Sequence, residues 1–316
     1  MTSVTHAIGI DIGGTKIAAG WVDLASGNVL QHMQTATRAE RGGQAVLDDV
    51  VGLVQSLISN RASHVSPVRI GLGICELVDL QGNVMSDFTI AWKDLPVRTI
   101  LGAIAPCSIE SDVRAQALAE ARFGAGQDYD PFVFVNIGTG ISSCLVQGGV
   151  PFAGARGNAL VLATGPISVP GAAPFVLEEY ASGLAVSKRF GVQTAQQVFD
   201  AAASGNTQAL EILQSAGHAL GSAVGWLANV LDPAAIVVGG GLGSTAGVYW
   251  DALVSSTRAH IWSADTQKLP IVKAKLGSDA GLIGAALSVC RQTMNYSPSS
   301  WKVDGPTVAG LINPGG

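Results

Sequence analysis

Two stretches of this chain share one plan: an apolar run, a polar residue, a turn of glycine and threonine, then a second apolar run. The first is Ile10-Asp11-Ile12-Gly13-Gly14-Thr15-Lys16, and the second is Val135-Asn136-Ile137-Gly138-Thr139-Gly140-Ile141. Each reads as strand, tight turn, strand. A turn without β-carbons lets an oxyanion approach backbone N–H groups, and threonine adds a hydroxyl donor. Asp11 ends its strand where a carboxylate is placed to hold a hydrated divalent cation. Taken singly, either turn is also an ordinary hairpin connection, for which glycine pairs are common. The repeat, far apart in the chain, constrains the fold much more: it predicts two similar halves facing each other across a phosphate-bearing ligand.

At 316 residues the chain is long enough for two domains with a core in each. A formal charge of -5 with 13% charged residues gives no basic footprint for nucleic acid. The first turn is reached by residue 11, which predicts neither a signal peptide nor a DNA-binding helical module ahead of it. The stretch that needs checking as a membrane span, Leu220 to Gly241, is interrupted by Asn229, Asp232 and Pro233. It reads as a buried helix followed by a buried strand. A soluble cytoplasmic protein that meets neither nucleic acid nor membrane is expected. Cys75, Cys107, Cys144 and Cys290 are far apart without CxxC spacing. They read as small buried apolar residues, with no disulfide framework and no structural zinc.

Strands are predicted over Val4–Ile12, Lys16–Val22, Val29–Thr35, Pro67–Ile74 and Pro106–Glu110, with helical spacing of apolar residues over Gly43–Arg61. The last of these strands runs straight into an alanine-rich helix, Asp112 to Phe123. A second half then opens with strands Phe132–Ile137 and Ile141–Val146. Residues 153 to 175 read as loops over a cleft. Helices are predicted over Glu178–Phe190, Thr194–Ser204, Thr207–Asn229, Tyr249–Ile261 and Ala280–Met294, with strands at Ala235–Val238 and Ile271–Ala274.

Glu110-Ser111-Asp112 puts carboxylates at a strand–helix junction. Asp112 reads either as a helix cap, for which aspartate is favoured, or as a general base that takes a proton from an attacking hydroxyl. Two phosphate turns elsewhere favour the base, because phosphoryl transfer asks little else of a protein beyond positioning and charge neutralisation. Leu231 to Gly241 is a buried strand opening into Gly239-Gly240-Gly241, where a flat base and ribose can lie against backbone. Gly277 to Ala286 begins a helix whose small residues permit close approach to a neighbour. Each of these segments also reads as a packing feature.

The order of the segments resembles the ROK family of sugar kinases and sugar-responsive repressors, within the actin, hexokinase and Hsp70 superfamily. The elements are Asp-Ile-Gly-Gly-Thr-Lys, Glu-x-Asp before an Ala-rich helix, Gly-Thr-Gly-Ile, Glu-x-Tyr-Ala-Ser-Gly, Asp-Pro-x-x-Ile-Val-x-Gly-Gly-Gly and Asp-Ala-Gly-Leu-Ile-Gly-Ala-Ala. They run from about Ile8 to Leu287. The resemblance implies an α/β fold of two actin-like, ribonuclease H-like domains, each with a central mixed sheet and a cleft between them. A small domain is expected over 1–112 and a larger one over 113–289, with a closing segment of about 290–316 packing back on the first. By position, Asp11 would orient Mg2+ through water, while Gly13, Gly14, Thr15, Lys16, Gly138, Thr139 and Gly140 would hold the phosphates of ATP. Gly239, Gly240 and Gly241 would border the adenosine, and Asp112 would be the catalytic base. Ser111, Gly157, Asn158 and Glu178 fall on the acceptor side. A homodimer is expected from the resemblance alone.

Departures from the family pattern cluster around the acceptor. The family's Glu-Asn-Asp is Glu110-Ser111-Asp112 here, and its Gly-Glu-x-Gly-His element becomes Leu160-Val161-Leu162-Ala163-Thr164, losing a glutamate and a histidine. The cysteine-rich zinc motif that usually follows is absent from Val169–Val176, so no zinc is expected. Glu76-Leu77 replaces Pro-Gly before Val78-Asp79. Glu76 reads as a solvated loop residue or as a contact to an amino group on the substrate. These changes imply an acceptor that is an amino sugar or carbocyclic sugar analogue of secondary metabolism rather than plain glucose. Ordinary glucokinase activity is the alternative within the class, and a non-catalytic sugar-binding regulator is the alternative outside it.

Overall fold

Isoleucines alternate with small residues along the first strand, β1 (His6–Ile12), and that alternation decides what each face of its sheet can accept. Ile8, Ile10 and Ile12 are fully buried on one face, while Ala7, Gly9 and Asp11 turn to the other. The computed structural model describes residues 4–60, 68–159, 161–167 and 175–291. β1 pairs antiparallel with β2 (Lys16–Asp23), and β2 with β3 (Val29–Ala36). Helix α1 (Gly43–Ser59) then returns the chain to β4 (Ile70–Ile74), parallel to β1. Val46, Leu47, Val50, Val54 and Leu57 of α1 join the isoleucine face in one core with Trp21 and Trp92. Helix α2 (Val97–Gly102) leads to β5 (Cys107–Ser111), parallel to β4, and helix α3 (Asp112–Phe123) follows without a break.

The second half repeats the plan. Strand β6 (Phe132–Ile137) pairs antiparallel with β7 (Ile141–Gln147), which pairs with β8 (Val150–Pro151). A small hairpin of β9 (Pro166–Ile167) and β10 (Phe175–Val176) precedes four helices: α4 (Glu178–Ala181), α5 (Gly183–Phe190), α6 (Ala195–Ala203) and α7 (Thr207–Leu231). Strand β11 (Ala235–Gly239) runs parallel to β6. After α8 (Gly241–Ser244) and α9 (Val248–His260) comes β12 (Ile271–Lys273), parallel to β11, and then α10 (Ala280–Arg291). The sheet orders are therefore β3-β2-β1-β4-β5 and β8-β7-β6-β11-β12, two copies of one mixed topology. The two glycine turns are equivalent hairpins, one in each lobe of an α/β fold with an interdomain cleft.

The last helix of each half lies against the other half. Helix α10 packs on β1 and β4 of the first sheet. Helix α3 lies on α10 and sends Val113, Ala117 and Ala121 into a core with Phe132, Phe134 and Val146 of the second sheet. The approach is at backbone distance. A β-carbon on Gly9 would stand 2.0 Å from the Leu282 carbonyl oxygen, one on Gly71 1.7 Å from that of Ala285, and one on Gly284 1.7 Å from that of Ala115. Glycine is what lets α10 sit between a sheet and a helix without side chains to hold them apart. The chain has thus rejoined the first sheet by Ala280, ahead of the closing segment expected from about residue 290, nearly all of which lies outside the described residues.

Both crossings between lobes are tied to one side chain. Glu120, fully buried on α3, accepts backbone N–H bonds from Ala125 (2.7 Å) on the way into the second lobe, and from Lys275 (3.1 Å) and Leu276 (2.8 Å) on the way back. Its own carbonyl takes the N–H groups of Gly124 and Gly126.

Most predicted elements stand within a few residues of their expected ends. The helix expected over Glu178–Phe190 is divided at Ser182, which caps α5 by accepting from the Ala185 N–H. Leu220 to Gly241 is the end of α7 followed by β11, and among the described residues no helix is long and apolar enough to cross a membrane. Cys107 and Cys144 are buried and Cys75 and Cys290 half-buried, and among the described residues they form no disulfide.

Candidate active site

Both glycine turns are braced from behind. In the first, the Gly13 N–H donates to the Lys16 carbonyl (2.9 Å), the Thr37 hydroxyl donates to the Gly13 carbonyl (2.6 Å), and the Thr37 N–H donates to the Thr15 carbonyl (3.0 Å). Gly14, Thr15 and Lys16 are exposed at its tip. In the second, the Gly138 N–H donates to the Gly140 carbonyl (2.9 Å). The break at Ser182 turns the start of α5 toward this turn, so that the N–H groups of Gly183 and Leu184 reach the carbonyls of Gly138 (2.8 Å) and Thr139 (3.3 Å). Glu178 accepts the Ile141 N–H at 2.7 Å, so one of its oxygens buttresses the turn.

Asp11 and Asp112 come together electrostatically. Asp112 is the first residue of α3 rather than its cap; Ser111 holds the cap position, in extended backbone. The Asp112 Oδ1 accepts the Val113 N–H at 2.6 Å. Burial pushes its pKa up to about 7, the negative charge of Asp11 adds to the rise, and the Val113 N–H opposes it. Asp11 is pushed up to about 6 by burial, against the pull of Lys16. Two carboxylates strained this way make an oxygen-rich, electronegative spot, the donor chemistry a magnesium ion takes. Ser111 is buried, and its Oγ has no hydrogen-bond partner among the described residues. It is next in the chain to the candidate base.

Asp11 holds its place because α10 begins with little bulk. A β-carbon on Gly281 would stand 2.4 Å from the Asp11 Cγ. Gly281→Ala must therefore displace that carboxylate. The expected result is a loss of kcat/KM for Mg-ATP on the order of 10- to 100-fold, with the melting temperature kept within a few degrees, read by steady-state kinetics beside a thermal melt.

Glu76 does not behave as expected for a solvated loop residue. It is buried, and its carboxylate accepts from the N–H groups of Phe88 (3.0 Å), Thr89 (2.6 Å) and Ile90 (2.8 Å) and from the Ser86 hydroxyl. Four donors fill its acceptor capacity, so it serves to fold the 86–90 loop rather than to meet an amine. That loop ends against the first turn, where the Thr89 methyl would stand 3.1 Å from a β-carbon on Gly14. Cys75, beside it, has its thiol pushed well up by burial and by the charges of Asp112 and Glu76, which keeps it protonated.

The other expected residues divide. Gly240 has φ +82, and a β-carbon there would stand 2.4 Å from the Ile137 carbonyl oxygen; Gly239 is pressed by Phe134. Packing against β6 requires both, whereas Gly241 faces open space. Gly157 is buried and Asn158 exposed. Val161 is 52% exposed and Thr164 exposed. Sequence reasoning missed Arg114, Glu120 and Thr89. The signal available for the first two was a lone charged residue on the buried side of an alanine-rich helix. Among the described residues no cluster of three or more His, Cys, Asp or Glu is placed to hold a metal ion; the stretch expected to lack the zinc motif lies largely outside them.

The ROK family model matches residues 7–292. The bifunctional enzyme NanE/NanK of Brucella melitensis is 34% identical over 290 residues, covering 88% of this chain and 53% of the relative. The chain thus spans about half the length of that relative. The glucokinase of Halalkalibacterium halodurans is 27% identical over 321 residues, covering 90% of this chain and 95% of the relative. The crystal structure of a ROK family glucokinase from Streptomyces griseus, in complex with glucose and AMPPNP, matches with a TM-score of 0.78 at 27% identity, over 91% of this chain and 99% of that one.

Proposed function

The chain belongs to the ROK family, and from that premise we propose that it is an ATP-dependent kinase acting on a primary hydroxyl of a hexose-like acceptor. The observation that carries the reading is Asp112: a carboxylate pushed up to about 7, coupled to Asp11 at the first glycine turn. A base works best with a pKa near the working pH, and burial supplies that shift here. The Streptomyces griseus relative, with glucose and AMPPNP bound, supports ATP as donor.

In this reading the acceptor hydroxyl hydrogen-bonds to the Asp112 carboxylate. Its oxygen attacks the γ-phosphorus, its proton passes to Asp112, and the bond to the bridging oxygen breaks to release ADP. The turns at Gly13-Gly14-Thr15-Lys16 and Gly138-Thr139-Gly140 hold the phosphates, and Gly239 to Gly241 border the nucleoside. Asp11 is the residue that would hold Mg2+ through water, the ion supplying charge neutralisation at the phosphates. Ser111, Gly157, Asn158 and Glu178 lie on the acceptor side, the Ser111 hydroxyl being the free donor.

The glucokinase relatives support a glucose-class acceptor. A second reading, an amino sugar or carbocyclic analogue, rests on Val161 and Thr164 standing where the family pattern has glutamate and histidine; Glu76, with its acceptors filled, no longer adds to it. A site that loses hydroxyl partners discriminates strongly against the ligand that needs them. ADP release with Mg-ATP across glucose, mannose, aminohexoses and C7-cyclitols separates the two. Turnover led by glucose gives the first reading, turnover confined to amino or carbocyclic acceptors gives the second, and silence across the panel goes against both.

A further inference from the structure

Arg114 lies two residues beyond Asp112 and is only 5% exposed, yet the chemistry above gives it no part. Its guanidinium reaches three places. Nε donates to the Glu110 carboxylate at 2.5 Å, Nη1 to the Gly157 carbonyl at 2.5 Å, and Nη2 to the Val78 carbonyl at 2.7 Å. Val78 belongs to the loop after β4 in the first lobe; Gly157 belongs to the loop after β8 in the second. The two loops touch: Gly157 has φ +82, and a β-carbon there would stand 2.1 Å from the Val78 carbonyl oxygen. Two carbonyl dipoles from different lobes therefore point at one cation on the helix that carries the base.

This is more than an ion pair. A pair with Glu110 alone, four residues earlier near the end of β5, would be satisfied by any cation at this position. Holding two carbonyls in fixed directions as well needs the planar fork of arginine, which a single ammonium on a flexible stem does not reproduce. The loops so held are those that carry Glu76 to Asp79 and Gly157-Asn158, the walls of the acceptor side.

We propose that Arg114 is a positioning residue that locks the 76–79 and 155–158 loops of opposite lobes against α3 and thereby sets affinity for the acceptor rather than for ATP. The proposal rests on the kinase reading for its kinetic consequence, but the lock itself does not.

The test uses Arg114→Lys and Arg114→Gln in the full chain, with Gly157→Ala as an independent route to the same disturbance. In the ligand-free protein, hydrogen exchange at 76–80 and 154–159 is expected to quicken about tenfold or more in Arg114→Lys while the turn at 11–16 is unchanged. Arg114→Lys keeps the charge beside Glu110 but leaves two carbonyls short of a donor, so its melting temperature should fall by a few degrees, less than in Arg114→Gln. With the acceptor that wild type turns over, KM for acceptor should rise about tenfold or more in Arg114→Lys and in Gly157→Ala, with KM for ATP within about twofold. Unchanged loop exchange in Arg114→Lys overturns the lock. Quickened exchange with both KM values moving together, or neither, overturns its role toward the acceptor. A wild-type protein without turnover on any acceptor removes the kinase reading, and the exchange result still decides whether Arg114 holds the loops.

Discussion

Asp112→Asn is expected to cut phosphoryl transfer by about 10²- to 10⁴-fold or more while leaving nucleotide binding nearly unchanged. The amide matches the carboxylate in shape and can still meet the acceptor hydroxyl, but it cannot take the proton. Binding is spared because the phosphates are assigned to backbone turns of both lobes, which Asp112 does not build. The pH dependence carries the same claim. With its pKa pushed up to about 7, Asp112 is protonated below that value, so wild-type kcat/KM should fall as pH drops through about 7. An ordinary aspartate would hold its activity some three units lower.

The same shift has a stability consequence of opposite sense. Folding raises the Asp112 pKa from 3.8 to about 7, so the folded state binds the proton more tightly than the unfolded state. Across that window stability falls as pH rises, because ionisation costs more in the folded protein. The asparagine variant escapes the cost. It should melt higher than wild type near pH 8 and lose the advantage near pH 4, as followed by thermal unfolding at both. A variant that is inactive but no more stable at high pH would leave the carboxylate unstrained and argue against burial as the source of its basicity.

Glu120→Ala is expected to be the most destabilising of the single changes considered, on the order of 3–6 kcal/mol. It leaves three N–H groups without their acceptor, that of Ala125 buried and those of Lys275 and Leu276 part-buried where the chain returns between lobes. Glu120→Gln keeps one oxygen but turns an NH2 group toward donors, so a smaller loss in the same direction follows. Urea unfolding measures both. A loss under about 1 kcal/mol for the alanine variant would mean that water replaces the carboxylate and that the crossings do not depend on it.

The repeated hairpin was legible because its physics is local. Alternating apolar residues and glycine turns need no distant partner to be read, and both lobes followed from it. The strand–helix junction at Asp112 was legible, whereas the burial that chiefly raises its pKa, and the charge of Asp11 that adds to it, come only with the fold. Glu76 misled for a related reason: a carboxylate on a loop looks solvated until the loop folds around it and supplies four donors. The break at Ser182 was hidden because helical spacing of apolar residues continues through it, while the bonds that reward the break come from the turn at Gly138-Thr139. Arg114 and Glu120 were illegible in the same way, since all but the Glu110 contact of one and the Ala125 contact of the other are made to segments more than thirty residues distant. Small residues at Gly71, Gly281 and Gly284 were visible, but which backbone or carboxylate each makes room for is a property of the packed lobes.

The most direct measurement is transfer of label from γ-labelled Mg-ATP to a hexose acceptor near pH 8, wild type against Asp112→Asn. Labelled sugar phosphate is expected from wild type and almost none from the variant, with both proteins binding nucleotide alike. Equal labelling from the two would remove Asp112 as the base that takes the acceptor's proton.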